Sequence, residues 1–241
     1  MSPYQNPGSK NRQRQPFPEG DFLMPEDNSP KNGHRPEDVH GVTVRRLAID
    51  GALEFTPNVH RDRRGLFASP YQEPAFTATF GRPLFPVRDL SHNVSAHGVL
   101  RGIHYTSTPP GRAKYVYCPY GKVQDFLIDL RVGSPTFGRW DSTELDGDIC
   151  RAVYIPVGVG HAFLSLADDS MIVYAMSKGY VAEDELAISP LDPALGLTFP
   201  AGITPLQSDR DRAAPTLAEA LDRGLLGDYA LCRDVEAKLW Q

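Results

Sequence analysis

Arg101 and His104, two side chains that suit anion binding and acid–base chemistry, lie three residues apart in the segment 98–105. Polar and apolar residues alternate through this segment as in an extended strand, and a regular strand would direct Arg101 and His104 to opposite faces. Gly102 lies between them, and a glycine inside a strand often marks a bulge or the close approach of a ligand. The segment is therefore either a buried strand whose arginine and histidine pair with local carboxylates, or part of a site that both side chains reach.

A histidine in a pocket suits general acid–base catalysis, because the ordinary pKa of imidazole lies nearest neutrality and a carboxylate partner fixes its tautomer. Three aspartates are candidates for that partner. Asp125 and Asp129 share one face of the predicted strand 123–130, and this face is either a wet interior or a solvent-facing edge. Asp211 lies in the charge-dense loop 207–215, whose ordinary interpretation is a self-paired surface turn.

Short β-type segments dominate the chain from residue 42 onward, and their spacing is typical of sandwiches and barrels. The predicted strands include residues 87–91, 98–105, 114–118, 123–130, 151–155, 162–166 and 171–176. Residues 119–121 predict a tight hairpin, and residues 72–82 predict one or two helical turns. The capping-box spacing of Thr216 and Glu219 predicts a helix that ends at Gly224, and a four-residue apolar repeat over residues 231–239 predicts a second one.

The composition excludes several classes of protein. A net charge of -5 and a pI near 5.8 leave no basic stripe of the kind that nucleic-acid binding requires. No apolar segment reaches membrane-spanning length or forms a signal peptide, so no membrane partner is expected. Three widely spaced cysteines, Cys118, Cys150 and Cys232, indicate reduced thiols in a cytoplasmic protein.

The chain divides into three regions by composition. Residues 1–41 are rich in proline and polar side chains, which predicts a flexible, mostly disordered extension. A barrel domain is expected over residues 42–200, and a C-terminal segment with short helices over residues 201–241.

Two segments match the histidine motifs of cupin-type β-barrels. Residues 98–104 fit the opening of the first motif, G-x5-H, and residues 156–161 fit the second, P-x-G-x2-H. Metal-binding cupins have a second histidine where this chain has Thr106, and no glutamate follows at the expected distance. Two imidazoles are fewer than the three or four ligands of a tight divalent site, so we predict a barrel without a metal or other cofactor. His161 is expected to be a packed imidazole rather than a catalyst.

Seven segments together resemble the dTDP-4-dehydrorhamnose 3,5-epimerase family in their order and spacing. They are residues 64–67, 98–105, 114–116, 129–140, 156–163, 192–193 and 209–211. The resemblance spans roughly residues 45–225. Segments 106–111 and 115–118 resemble family members that act in antibiotic deoxysugar pathways.

The resemblance implies an all-β, cupin-type jelly-roll barrel with short C-terminal helices. It also implies a cofactor-independent epimerase that inverts C3, C5 or both in a dTDP-linked 4-keto-6-deoxyhexose. The ketone acidifies the protons on its neighbouring carbons, so the reaction needs a base on one ring face, an acid on the other and a cation beside the ketone oxygen. Members of the family are dimers, and a homodimer whose N-terminal strands cross between subunits is expected.

The resemblance further implies the catalytic roles. His104 corresponds to the base and Asp211 to its partner, Lys114 to the cation that stabilises the enolate, and Tyr174 to the acid that reprotonates it. Taken without the resemblance, Tyr174 would be a core tyrosine and Lys114 an edge lysine that discourages aggregation.

The substrate-binding residues implied by the resemblance fall into three groups. Arg64 and Arg101 correspond to ligands of the pyrophosphate, whose oxygens pair with a planar guanidinium. Phe67 and Tyr180 correspond to residues that flank the nucleotide base, and Arg210 belongs to the matched loop before the terminal helix.

Asp89 and Ser91 depart from the family pattern, because they stand where glutamine and asparagine commonly line the sugar pocket. A carboxylate there could pair with an amino substituent or with a differently placed hydroxyl, so the identity of the sugar stays open. Two other functions also stay open: a metal-dependent cupin isomerase or dioxygenase, and a non-catalytic nucleotide-sugar-binding barrel.

Overall fold

The computed structural model describes residues 35–241, so most of the predicted N-terminal extension lies outside the described residues. The strands β1 to β14 are, in chain order, Glu37–Val39, Val42–Arg46, Leu53–Thr56, His60–Asp62, Gly65–Phe67, Asp89–Ser95, Leu100–Thr106, Lys114–Tyr120, Lys122–Asp129, Trp140–Asp146, Ala152–Ile155, Val159–Ser165, Ser170–Met176 and Glu185–Ala187. The helices α1 to α4 are Glu73–Phe80, Asp209–Arg212, Leu217–Asp222 and Tyr229–Ala237, and a 3-10 turn covers Ala182–Asp184.

Two antiparallel sheets face each other and form the walls of a barrel. Within residues 35–241, the larger sheet has the order β1-β2-β3-β11-β8-β13-β6 and the smaller has the order β10-β9-β12-β7-β14, while β4 and β5 form a separate hairpin. Val116 and Ile172 of the larger sheet pack with Leu127 and Phe163 of the smaller one in a buried cluster between the sheets. This architecture confirms the predicted all-β jelly-roll barrel.

Helices α1 and α3 cover the outer faces of the two sheets. Phe76 of α1 packs on Phe55 and Tyr154 of the larger sheet, and α1 ends at Gly81, whose φ of 90° is left-handed. Thr216 and Glu219 form the predicted capping box at the start of α3. None of the helices in residues 35–241 is long and apolar enough to cross a membrane.

Two details of the sequence prediction are wrong. The ordered chain begins before residue 42, because Glu37–Val39 pairs with Val42–Arg46. Residues 119–121 do not form a hairpin: β8 pairs with β11 and β13, whereas β9 pairs with β10 and β12. The chain instead passes from one sheet to the other at Gly121, where a Cβ atom would lie 2.6 Å from Ser170. A short glycine turn joins neighbouring strands and facing sheets equally well, so the local sequence could not separate the two.

Strand β7 carries a bulge that decides where its polar side chains point. His104 lies opposite His161 of β12, but Arg101 lies opposite Phe163, so three steps along β7 match two steps along β12. The extra residue turns Arg101 and His104 into the same cavity. Gly102 has a φ of +110°, and a Cβ atom there would lie 2.5 Å from the carbonyl oxygen of His161. The bulge is therefore possible only with glycine at position 102.

We predict that Gly102→Ala destabilises the fold by at least about 2 kcal/mol, because it combines an unfavourable φ with a backbone collision. Urea denaturation gives the free energy of unfolding. Gly179→Ala is the matched control, since no atom lies within 4 Å of its Cβ position and its backbone is not left-handed. Equal stability of the two variants would contradict the assignment of the bulge.

Candidate active site

A cavity of about 340 Å³ opens between the two sheets and is lined by most of the residues singled out in the sequence. Arg101 and His104 of β7 and His161 of β12 line it from the smaller sheet, while Lys114 of β8 and Tyr174 of β13 line it from the larger sheet. Three further side chains, from alternate positions of β6, are Asp89, Ser91 and Asn93. The cavity therefore combines acids, bases and hydrogen-bond donors from facing walls.

His104 lines this cavity and forms a hydrogen-bonded pair with Asp211 of helix α2. The imidazole Nε2 lies 2.7 Å from Oδ1 of Asp211, which is buried, while about a third of the His104 side chain stays exposed. Burial opposes ionisation of Asp211, but His104, the amide of Gly102 and the hydroxyl of Ser208 lower the pKa of that carboxyl below its ordinary value. A carboxylate held ionised against an imidazole fixes its orientation and stabilises its protonated form. The pair suits proton abstraction.

Tyr174 faces the cavity from the opposite sheet. The side-chain amide of Asn93 donates to its phenol oxygen at 2.9 Å, so the phenol proton stays available to another acceptor. Burial raises the pKa of Tyr174 above its ordinary value, which keeps the phenol protonated at neutral pH. The geometry suits proton donation.

Lys114 is a buried cation at the same cavity. Burial lowers the pKa of its ammonium to about 8, and the negative charges of Glu185 and Asp125 oppose that decrease. A buried ammonium stabilises negative charge that develops nearby.

His161 and Asp125 form a second buried pair, with Nε2 of the histidine 2.6 Å from Oδ2 of the aspartate. Burial raises the pKa of Asp125, although the positive charges of His161 and Lys114 oppose the increase. The His161 ring also lies edge-on to Tyr174, with 5.9 Å between the ring centroids. His161 is thus a buried, packed imidazole in the cavity wall, and its expected lack of a catalytic role stays a prediction. Asp125 lies in the interior and not on a solvent-facing edge.

Asp129 belongs to a different network. Its carboxylate accepts hydrogen bonds from Arg131, Ser134 and Thr136, and it is fully buried away from the cavity. These contacts fix the turn that follows β9, so Asp129 has a structural role.

The predicted substrate-binding residues divide between two places. Arg101, Tyr180 and Arg210 line the cavity and are exposed at its mouth, and the hydroxyl of Ser91 donates to Asp89 at 3.0 Å. Arg101 donates through Nε to the Ser95 hydroxyl, and Arg210 donates through Nη2 to the Glu185 carbonyl.

Arg64 and Phe67 do not reach this cavity. They lie on the β4–β5 hairpin, where Arg64 pairs with Asp62 and the Phe67 side chain is 68% exposed. Phe67 lines a separate groove together with Tyr117 and Tyr120.

Three polar cavity residues were missed at the sequence level. Asn93 follows the substituted positions on β6, and Arg112 and Glu185 form a buried ion pair at 2.9 Å. Asn93 could have been identified from strand alternation, because it lies on the same face of β6 as Asp89 and Ser91. The pairing of Arg112 with Glu185 could not, because it depends on contact between distant segments. Within residues 35–241, no group of three or more His, Cys, Asp or Glu side chains is arranged to hold a metal ion.

Residues 46–219 match the family model for dTDP-4-dehydrorhamnose 3,5-epimerase. A dTDP-4-dehydro-6-deoxyglucose 3-epimerase from a Streptomyces species is 49% identical over 183 residues, which represent 76% of this chain and 93% of that protein.

Two solved structures are also similar. ChmJ, a 3'-monoepimerase from Streptomyces bikiniensis solved in complex with dTDP-quinovose, matches with a TM-score of 0.76 and 45% identity, over 81% of this chain and 98% of ChmJ. NovW, a 4-keto-6-deoxy sugar epimerase from the novobiocin biosynthetic gene cluster of Streptomyces spheroides, matches with a TM-score of 0.76 and 45% identity, over 83% of this chain and 100% of NovW. This chain therefore belongs to the dTDP-4-dehydrorhamnose 3,5-epimerase family and is a dTDP-sugar epimerase.

Proposed function

We propose that the protein inverts C3, C5 or both in a dTDP-4-keto-6-deoxyhexose without a cofactor, in the biosynthesis of a deoxysugar for a secondary metabolite. One observation carries the assignment of roles: His104, which is hydrogen-bonded to Asp211, and the phenol of Tyr174 line one cavity from facing sheets. A ring held between the sheets has a base on one face and an acid on the other, as inversion requires.

The reaction proceeds through an enolate. His104 removes the proton from a carbon next to the ketone, and the electron pair of the broken C–H bond passes to the ketone oxygen. Asp211 stabilises the protonated imidazole, and the Lys114 ammonium stabilises the enolate oxygen. Tyr174 then gives its proton to the carbon from the opposite face, and the ketone forms again. His104 and Tyr174 recover their starting states by proton exchange with solvent.

The nucleotide lies at the cavity mouth in this proposal. Arg101 and Arg210 are exposed there and carry positive charge for the pyrophosphate, and Tyr180, which is 61% exposed, flanks the base. ChmJ is a relative solved with dTDP and with dTDP-quinovose, which supports a dTDP-linked substrate. The three free, buried thiols fit the reducing cytoplasm.

We also propose a homodimer in which the β4–β5 hairpin of each subunit reaches the partner's cavity. The hairpin exposes Leu66 and Phe67, and the outer face of β6 exposes Leu90 (70%) and Val94 (47%). The inner face of β6 lines the cavity, so apolar surface beside the site is available to a second copy. Arg64 and Phe67 would then bind the nucleotide in the partner's cavity.

We predict that the wild-type enzyme incorporates solvent deuterium next to the ketone. His104→Ala should lose exchange and turnover by about 100- to 10,000-fold, because the base is removed. Tyr174→Phe should keep exchange and lose inversion, because only the second proton transfer fails. NMR of dTDP-4-keto sugars in heavy water locates the deuterium.

Full exchange in both variants would show that the two roles are wrong. Since no step uses a metal, turnover should persist after exhaustive chelation; loss of turnover would favour the metal-dependent cupin enzyme. Tight dTDP binding without any exchange in the wild-type protein would favour the non-catalytic barrel.

We predict that kcat/KM falls as the pH rises through about 8, because the Lys114 ammonium loses its charge there. Lysine is charged below its pKa, so the Lys114 side chain is mostly charged at pH 7 and mostly neutral at pH 9. Lys114→Arg keeps a positive charge throughout this range and should lack the decrease. A wild-type profile that stays flat to pH 9.5 would contradict the role of Lys114.

Co-refolding of two variants, His104→Ala and Arg64→Ala, tests the dimer. Each variant alone should be inactive, because the first lacks the base and the second lacks a ligand of the pyrophosphate. If each hairpin serves the partner's cavity, a mixed dimer has one intact site and one site with both defects. Half of the dimers are mixed, so about a quarter of the wild-type activity should return. Lack of recovery, with mixed dimers verified by mass spectrometry, would show that the hairpin does not serve the partner.

A further inference from the structure

Arg112 is a buried cation that the proposed mechanism does not use. Its side chain is 5% exposed, lines the cavity and precedes Lys114 by two residues. The loop that carries it is fixed on both sides, because the Ser177 hydroxyl accepts from the Ala113 amide at 3.0 Å and Lys178 donates to the Pro110 carbonyl at 2.8 Å. The position of the guanidinium is therefore set by the fold.

Only part of this guanidinium has a partner. Nη2 pairs with Oε1 of Glu185 at 2.9 Å, and the Thr106 hydroxyl donates to the same oxygen. Nε and Nη1 of Arg112 have no hydrogen-bond partner within the described chain. A guanidinium has five N–H groups, so three of those of Arg112 lie on unpartnered nitrogens.

Unpartnered buried donors are rare and costly, and in a cavity they indicate a missing ligand or water. The Asp129–Arg131 pair in the same barrel shows the alternative, because Arg131 uses Nε and Nη2 for Asp129 and also donates to the Asp50 carbonyl. Arg112 lacks such a set of acceptors. Because Arg112 lines the cavity, a molecule that fills the cavity could supply the missing acceptors.

The charge around Arg112 selects the kind of oxygen that it binds. Glu185 neutralises the guanidinium, so the pair offers hydrogen bonds without a net charge. The exposed arginines at the mouth, Arg101 and Arg210, have no carboxylate partner of this kind and suit the pyrophosphate. A neutral pair deeper in the cavity suits a neutral acceptor, and the hydroxyl groups of the hexose provide one.

We propose that Arg112, held by Glu185, binds a ring hydroxyl of the hexose and selects substrates that keep this hydroxyl over the corresponding deoxy sugars. The proposal rests on the proposed function for the identity of the ligand. Arg112 binds the sugar before and during the reaction equally, so it contributes to affinity and specificity and not to the chemical step.

Binding of unreactive sugars tests the proposal separately from catalysis. The probes are dTDP, dTDP-6-deoxyglucose and the 2-deoxy and 3-deoxy forms of the latter, measured by calorimetry. The wild-type protein should bind dTDP-6-deoxyglucose about 10- to 100-fold more tightly than one of the two deoxy forms. Arg112→Met should lose this preference and keep its affinity for dTDP. Arg82→Met is the matched control, since Arg82 lies over Trp240 outside the cavity. This substitution should change neither the preference between the sugars nor the affinity for dTDP.

Arg112→Lys keeps the charge without the planar set of donors and should also lose the preference, which covers the case in which Arg112→Met fails to fold. The proposal is overturned if the wild-type protein does not distinguish either deoxy form. It is also overturned if the folded variants, verified by unchanged dTDP affinity, keep the preference. Absence of deuterium exchange in the wild-type protein would instead contradict the proposed function and leave the binding comparison intact.

Discussion

The contact between β7 and β12 at Gly102 is the constraint on which the site depends. At that point the backbone of β7 approaches β12 so closely that a Cβ atom would collide with the His161 carbonyl oxygen and with Ala162. The extra residue that this bulge accommodates turns Arg101 and His104 into one cavity, and it also directs the Gly102 amide toward Asp211 at 3.5 Å. One backbone irregularity therefore sets the directions of Arg101 and His104 and places a backbone amide against Asp211.

Buried charge is distributed unevenly between the structural parts of the barrel and its cavity. Asp129 and Arg131 are hydrogen-bonded to one another, and Ser134, Thr136 and the Asp50 carbonyl supply further partners, as a buried ion pair needs if it is not to destabilise the fold. Around the cavity, by contrast, two nitrogens of Arg112 and Oδ1 of Asp125, the partner of His161, have no hydrogen-bond partner in the described chain, and burial lowers the pKa of Lys114 to about 8. Incomplete satisfaction and shifted pKa values occur together where a substrate would bind, which is the pattern of a functional site.

The sequence predicted the features that depend on local periodicity and missed those that depend on distant contact. Strand alternation and the capping box of Thr216 and Glu219 are local, and both were identified. The turn at Gly121 looks like a hairpin because only the sheet order reveals that β8 and β9 lie in different layers. The same limit applies to His161: its motif was visible, but its contact with Asp125 follows from the register of β12 against β9. Gly102 lies between these two cases. The sequence indicated either a bulge or the close approach of a ligand, and the strand register shows the bulge.

The proposed acid and the proposed base lie on different sheets, which has a consequence for inversion. His104 belongs to β7 of the smaller sheet and Tyr174 to β13 of the larger one, so the separation of the two groups is fixed by how the sheets pack and not by a mobile loop. Core residues such as Val116, Leu127 and Phe163 hold that separation. A rigid gap permits proton transfer on both faces of a ring that lies between the sheets, and the ring itself must shift if a second carbon is to meet the same base. Whether one carbon or two is inverted then depends on the contacts that limit this shift, among them the wall formed by Asp89, Ser91 and Asn93.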